Sequence, residues 1–245
     1  MSEHWDIYLT QSNNNNVFVR LDLGIKDSVP ISGADKLVQV SIQTKSLFSK
    51  KMNFELLHII EDEIGSALTE SDFYIGVITE ADMRTFYIYT IQEKKLLNTV
   101  ESILSKHKKQ TSDISIVDDP EWSFYLETLY PDVYKYQWIQ DRHVVEQLIA
   151  NNDNQKVPRE ITHWLYFSDI ASRESYKNKL DREVYKIIDE TTFEEETDYP
   201  YQLSISHKGT TELETIYQYT TELIKKSLEV GGNYDGWETQ VIQSK

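Results

Sequence analysis

The spacing of apolar positions changes along the chain from two, to nearly four, and back. Val17-Phe18-Val19-Arg20-Leu21-Asp22-Leu23 alternates and predicts a strand, with Trp5 to Leu9 as a weaker partner before it. Asn13 to Asn16 reads as the hairpin loop between them, because Asn tolerates left-handed backbone and hydrogen-bonds locally. Leu37 to Gln43 alternates again. From Phe54 to Leu68 the period turns helical: Leu56, Ile60, Ile64 and Leu68 form one stripe, with Leu57 and Ile59 beside it. Asp72 to Thr79 and Arg84 to Thr90 predict strands around the tight connection Glu80-Ala81-Asp82-Met83. A helix over Lys94 to His107 and a strand over Ser112 to Asp118 complete the series. From Leu37 onward the order is β-α-β-β-α-β, the ferredoxin-like pattern, and the first hairpin would extend its sheet.

Asp119-Pro120-Glu121-Trp122 suits a helix start, since Pro costs no needed N–H in the first turn and acids favour that end. The predicted short helix ends at Tyr130-Pro131, and a second runs from Val133 to Ala150. Asn151 to Pro158 combines polar, capping and Pro residues and reads as the clearest linker. Then the topology repeats. Thr162 to Phe167 is a strand, a helix runs through Tyr176 to Leu180, and Glu183 to Glu190 is a strand of ambiguous spacing. Tyr201 to His207 alternates cleanly, Thr211 to Val230 is helical and stops at Gly231-Gly232, and Trp237 to Ile242 is the last strand. The expected fold is α+β: two tandem ferredoxin-like sandwiches joined by a helical connector, the first extended by an N-terminal β-hairpin. The expected bounds are 1–135 for the first domain, 136–158 for connector and linker, and 159–245 for the second domain.

Composition narrows the chemistry. The 245 residues carry a formal net charge of -16, spread over both halves: residues 1–150 hold 23 acids and 14 bases, residues 151–245 hold 18 and 11. This disfavours direct nucleic-acid binding, which needs a local excess of Lys and Arg, while leaving a basic protein segment as a suitable partner. Zero Cys excludes disulfides, thiolate nucleophiles and Cys-ligated metals. No apolar run follows Met1 or approaches the ~18 residues a membrane helix requires, so a soluble cytoplasmic protein without a membrane partner is expected.

No phosphate-binding Gly loop, G-x-S-x-G or H-E-x-x-H occurs. Among the six histidines only His163 and His207 fall on strands that could be neighbours, and surface or edge imidazoles are a better reading than a metal pair. Asp118-Asp119 reads as a helix cap rather than an acid pair, and Asp141-Arg142-His143 as an ion pair rather than a dyad. No catalytic, cofactor or metal residue is assigned. Glu194-Glu195-Glu196, in the loop between two strands, is a solvated acidic run and a candidate hook for a cationic partner. The sharpest local feature is Gly231-Gly232-Asn233-Tyr234-Asp235-Gly236-Trp237-Glu238-Thr239, which implies a helix stop and an Asp-Gly turn. Structural closure by Tyr234 and Trp237 is its first reading; a partner contact through Tyr234, Asp235 and Trp237 is the second.

Two families share these motifs. Residues from about Ile161 to Ile242 resemble the regulator of ribonuclease activity B family, through His163-Trp164-Leu165-Tyr166-Phe167, the long helix from Thr211, and the GGNYDGWET ending at Gly231 to Thr239. The resemblance implies a small acidic ferredoxin-like protein that binds a protein partner; the namesake inhibits RNase E through that enzyme's non-catalytic region. Residues 1 to about 135 are similar to domain of unknown function 695, through Trp5-Asp6-Ile7-Tyr8, YIGVITEADMRTFYIYT from Tyr74 to Thr90, and DDPEWSFYLETLYP from Asp118 to Pro131. The expected function is therefore a non-catalytic interaction or regulatory protein, with a ribonuclease or a basic protein segment as partner and no cofactor. The rival is an uncharacterised hydrolase or nucleotide-modifying enzyme with a site near the interdomain groove, for which Asp118, Asp119 and His143 are the residues to inspect.

Overall fold

The alternating segments pair into two antiparallel sheets in the computed structural model, which describes residues 4–12, 15–43, 53–107, 110–194 and 197–243. The chain divides into two units, Met1–Asp132 and Val133–Lys245.

The first unit contains β1 (Trp5–Ser12), β2 (Asn15–Asp22), β3 (Lys36–Gln43), α1 (Phe54–Ala67), β4 (Asp72–Glu80), β5 (Met83–Thr90), α2 (Glu93–Lys106) and β6 (Thr111–Asp118). Its six strands lie in the order β1-β2-β4-β5-β3-β6, so the N-terminal hairpin extends the sheet by pairing β2 with β4. One face buries Val38, Val40 and Ile42 of β3 and Phe86 and Ile88 of β5 against Leu57, Ile60 and Ile64 of α1 and Leu96, Val100 and Ile103 of α2. Each such side chain contributes about 1.5–3 kcal/mol when fully buried. The inner stripe of α1 is centred on Leu57, with Leu56 only half-buried. On the other face Trp122 stacks on Tyr89 at 3.9 Å, and its indole donates to the Ala34 carbonyl at 3.0 Å. Trp122 holds a left-handed backbone (φ 57°) to do so. The expected short helix over Phe124–Leu129 is π-type, closed by the Tyr130 N–H on the Tyr125 carbonyl at 2.8 Å.

The second unit contains α3 (Val133–Ala150), β7 (Arg159–Phe167), α4 (Ile170–Lys179), β8 (Lys186–Thr192), β9 (Tyr201–Gly209), α5 (Leu213–Leu228) and β10 (Gly232–Thr239). The strand order is β10-β7-β9-β8. Leu165, Phe167, Leu203 and Ile205 pack against Tyr176 of α4 and Leu223 and Ile224 of α5. Asp169 caps α4 by accepting the Ser172 N–H at 2.7 Å. Residues 151–158 are fixed within this unit: buried Asp153 pairs with Arg159 and accepts the Ile242 N–H at 2.7 Å.

The starts of β8 and β10 are displaced from the sequence expectation for local reasons. β8 begins at Lys186 because Asp181 holds the preceding residues in a turn, accepting the Glu183 N–H on its side chain at 2.9 Å and the Tyr185 N–H on its carbonyl at 2.8 Å. β10 begins at Gly232, directly after the helix stop, and no hairpin turn forms at Asp235-Gly236. That dipeptide is a bulge inside the strand. Among the described residues no helix is long and apolar enough to cross a membrane.

Candidate functional site

Side chains of a regular strand alternate between faces, so positions 234 and 237 would point in opposite directions. The pairing of β10 with β7 slips by one residue between Tyr234 and Gly236, where Gly236 takes φ 147°. One extra residue restores the phase. Tyr234 and Trp237 therefore both turn inward and are buried, while Asn233, Asp235 and Glu238 remain exposed. Gly232 allows the close approach at the strand's start, since a Cβ there would stand 2.5 Å from the Phe167 ring.

Two buried polar networks hold this strand. In the first, Asp141 of α3 accepts from the Trp237 indole at 2.9 Å, the Gln137 amide at 2.7 Å and the Thr220 hydroxyl at 2.7 Å, so one carboxyl joins α3, α5 and β10. Burial raises its pKa from 3.8 to about 6, against the opposing pull of Thr220, Gln137 and Trp237. In the second, the Tyr234 hydroxyl meets His163 Nδ1 at 2.8 Å, and His163 Nε2 meets His207 Nδ1 at 2.9 Å. Burial, then the neighbouring His207, pushes His163 well below its ordinary value. Burial likewise lowers His207 to about 4, with Glu222 opposing. Both rings are neutral near pH 7, and Tyr234, raised by burial first, stays a phenol.

The two histidines are thus neighbours, as their strands suggest, but they lie in the interior and not at a surface or edge. Both nitrogens of His163 are hydrogen-bonded. Among the described residues no group of three or more His, Asp or Glu could hold a metal ion.

Above β10 lies a cleft of about 380 Å³, walled by Val133 and Tyr136 at the start of α3, Leu228 at the end of α5, and Asp235 on the strand. Gln137 and Tyr234 line its floor, the same residues whose partners are Asp141 and His163. Val133 and Leu228 are about half exposed, at 46% and 52%. A carboxylate beside apolar walls can receive an ammonium or guanidinium together with its aliphatic stem. The Ser227 hydroxyl in this cleft donates to the Ile224 carbonyl at 2.8 Å.

The other sequence candidates are placed apart from it. Glu194 is exposed just after β8, at the opposite edge of the sheet from β10, while Glu195 and Glu196 lie outside the described residues. Asp119 caps the π-helical turn, accepting the Ser123 and Phe124 N–H groups at 2.9 Å each and the Tyr89 hydroxyl. Burial opposes its charge, but those donors outweigh burial and hold the carboxyl below its ordinary value. Asp118 is exposed and pairs with Lys36. Arg142 makes an ion pair with Glu146 at 2.7 Å and reaches His143 at 3.4 Å. Asp141 had a sequence signal, an acid in phase with Trp138 and Val145 on α3; Trp237 stood out in the Gly-rich ending, but nothing in the spacing pairs it or Thr220 with Asp141.

Comparison with known proteins matches two family models. Family of unknown function (DUF695) covers residues 3–130, and Regulator of ribonuclease activity B covers residues 138–239. No curated protein matches the chain. Among solved structures, the crystal structure of an unknown protein from Galdieria sulphuraria aligns over 82% of this chain and 96% of its own at 12% identity, with a TM-score of 0.21. That score is too low to support any statement about fold or function.

Proposed function

The chain belongs to the family of unknown function (DUF695), and from that premise we propose that it is a non-catalytic regulatory protein whose second unit binds a basic segment of a protein partner. The match of residues 138–239 to Regulator of ribonuclease activity B favours a ribonuclease as that partner. The strand orders β4-β5-β3-β6 and β10-β7-β9-β8 support reading the two units as ferredoxin-like sandwiches.

The observation that carries the proposal is the exposure of Asp235 at a cleft of mixed polar and apolar lining, on a strand locked from beneath by Asp141 and His163. A rigid strand loses little conformational freedom when a partner docks, so affinity is not spent on ordering it. The acidic balance steers a cationic segment, and Tyr136, Val133 and Leu228 cover its stem.

The test titrates the full-length chain against a fluorescent Lys/Arg-rich peptide and its Gln-substituted counterpart, reading anisotropy. The basic peptide is expected to bind, and Asp235→Lys to weaken it by about tenfold, ~1.4 kcal/mol, without changing the melting temperature. Equal affinity of the two peptides, or of wild type and Asp235→Lys, overturns the proposal. Slower cleavage of RNA by a ribonuclease carrying such a segment, when the chain is added, would extend it to the named partner class.

A further inference from the structure

The first unit holds a cationic centre inside an otherwise acidic protein. Glu61 of α1 follows Leu57 and Ile60 on the inner stripe, so a carboxylate stands where an apolar side chain is expected. Two guanidiniums converge on it. Arg84 of β5 donates to one oxygen at 2.6 Å, and Arg20 of β2 pairs with the other, which also accepts the Tyr74 hydroxyl at 2.8 Å. One carboxylate therefore serves two cations, and the cluster keeps a formal excess of one positive charge.

That excess is not hidden. Arg20, whose side chain is 39% exposed, and Arg84, at 9%, both line a cavity of about 410 Å³. The Nε–H groups of both arginines are buried and have no hydrogen-bond partner among the described residues. Arg173 carries such an Nε–H group as well, so it is the half-exposed Arg20 guanidinium at the cavity, and not these buried donors, that an occupant can reach. Burial presses the Arg84 guanidinium below its ordinary value; Tyr74 eases that cost and the Arg20 charge adds to it.

The remaining walls state what else the occupant carries. Phe18 and Phe54 are 46% and 55% exposed at the cavity, large apolar surface to leave in water. Asn16 and the exposed imidazole of His58 supply hydrogen-bonding groups at the same cavity. Its volume falls in the ~300–1,000 Å³ range of small-molecule sites. A guanidinium pairs planar oxyanions through parallel N–H groups better than it pairs spherical ions. We propose that this cavity, formed by β1, β2, β4, β5 and α1, binds a small organic oxyanion, a carboxylate or phosphate monoester carried on an aromatic or branched apolar body. The proposal concerns the first unit alone and stands or falls independently of peptide binding by the second.

Isothermal titration of the full-length chain with 3-phenylpropionate, phenyl phosphate, 3-phenylpropanamide and inorganic phosphate tests it. At least one aryl oxyanion is expected to bind with a dissociation constant below ~1 mM, and the neutral amide and inorganic phosphate at least ten times more weakly. The tighter of the two aryl anions identifies the head group. Arg20→Gln is expected to weaken that binding at least tenfold. His58→Glu, an exposed change on α1 that adds a repelling charge, should do the same without touching the ion-pair cluster. Heat from neither aryl anion, equal binding of the amide or of inorganic phosphate, or binding unchanged in His58→Glu with its fold intact would overturn the proposal and leave the cluster as a structural triad.

Discussion

Both units bury a group of charged or titratable side chains, and the two groups meet the cost of burial in different ways. In the second unit His163 and His207 lose their protons, and Asp141, raised by burial to about 6, is held by three neutral donors from Thr220, Gln137 and Trp237. Their hydrogen bonds tie helices and strands together. In the first unit Arg20, Arg84 and Glu61 remain ions, and two cations share one anion beside an open cavity. Fully hydrogen-bonded networks fix backbone; an unbalanced ionic cluster leaves something for a ligand to complete. The same reasoning separates the candidate sites. Beneath β10, Asp141 and His163 hold the strand that carries the exposed acid without lining the cleft, whereas in the first unit Arg20 and Arg84 themselves line the cavity.

Removing Glu61 should break this contrast most severely. Glu61→Ala leaves two guanidiniums in a half-buried setting with no carboxylate between them. Loss of one member of a buried ion pair costs about 3–5 kcal/mol, and urea unfolding of the full chain measures it. The loss should shrink when a bulky anion such as phenyl phosphate is added at millimolar concentration, because it restores the missing charge. A loss below about 1 kcal/mol, within the range of an exposed ion pair, would mean that water already compensates the cluster.

The buried networks of the second unit predict pH behaviour of two signs. Asp141 has a folded pKa of about 6, above its unfolded 3.8. The stability it lends is complete below the unfolded value and is lost as pH rises through 6. At ~1.4 kcal/mol per unit this amounts to about 3 kcal/mol. His207 behaves oppositely: with a folded value of about 4 against 6.5 unfolded, its contribution is complete above 6.5 and is lost as pH falls through 4, again about 3 kcal/mol. The two windows overlap, so in the wild type these slopes oppose one another. Asp141→Asn should therefore gain stability relative to wild type as pH rises from 4 to 7, and His207→Gln should gain relative to wild type as pH falls over the same span. Parallel stability curves for all three proteins would show that neither group is buried as described.

Much of this architecture was legible from spacing, and the misses have local causes. Apolar alternation in Leu37 to Gln43, Arg84 to Thr90 and Tyr201 to His207 located strands, although β5 and most of β9 are buried on both faces. The start of β10 was hidden because an Asp-Gly pair has the signature of a turn, and only the partner strand β7 decides that it is a bulge. Glu61 could be noticed as an acid on an apolar stripe. Arg20 could not, because its face of β2 also carries exposed Phe18, so nothing in the pattern separates it from an ordinary solvated arginine. The cation pair exists only where β2, β5 and α1 meet, and no spacing within one segment encodes that meeting.

The mildest variant probes the positioning role of β10 directly. Tyr234→Phe removes only the hydroxyl that meets His163 Nδ1 at 2.8 Å, leaving the buried ring in place. The imidazole then has one nitrogen unpaired inside the core, a cost of about 1–3 kcal/mol. Because Asp141 still holds Trp237, the strand should keep its bulge and its exposed acid, so the unfolding midpoint should fall while affinity for a basic peptide changes less than in Asp235→Lys. A larger loss of peptide binding than Asp235→Lys produces would assign the hydroxyl, which lies on the cleft floor, a direct contact with the partner rather than a supporting one.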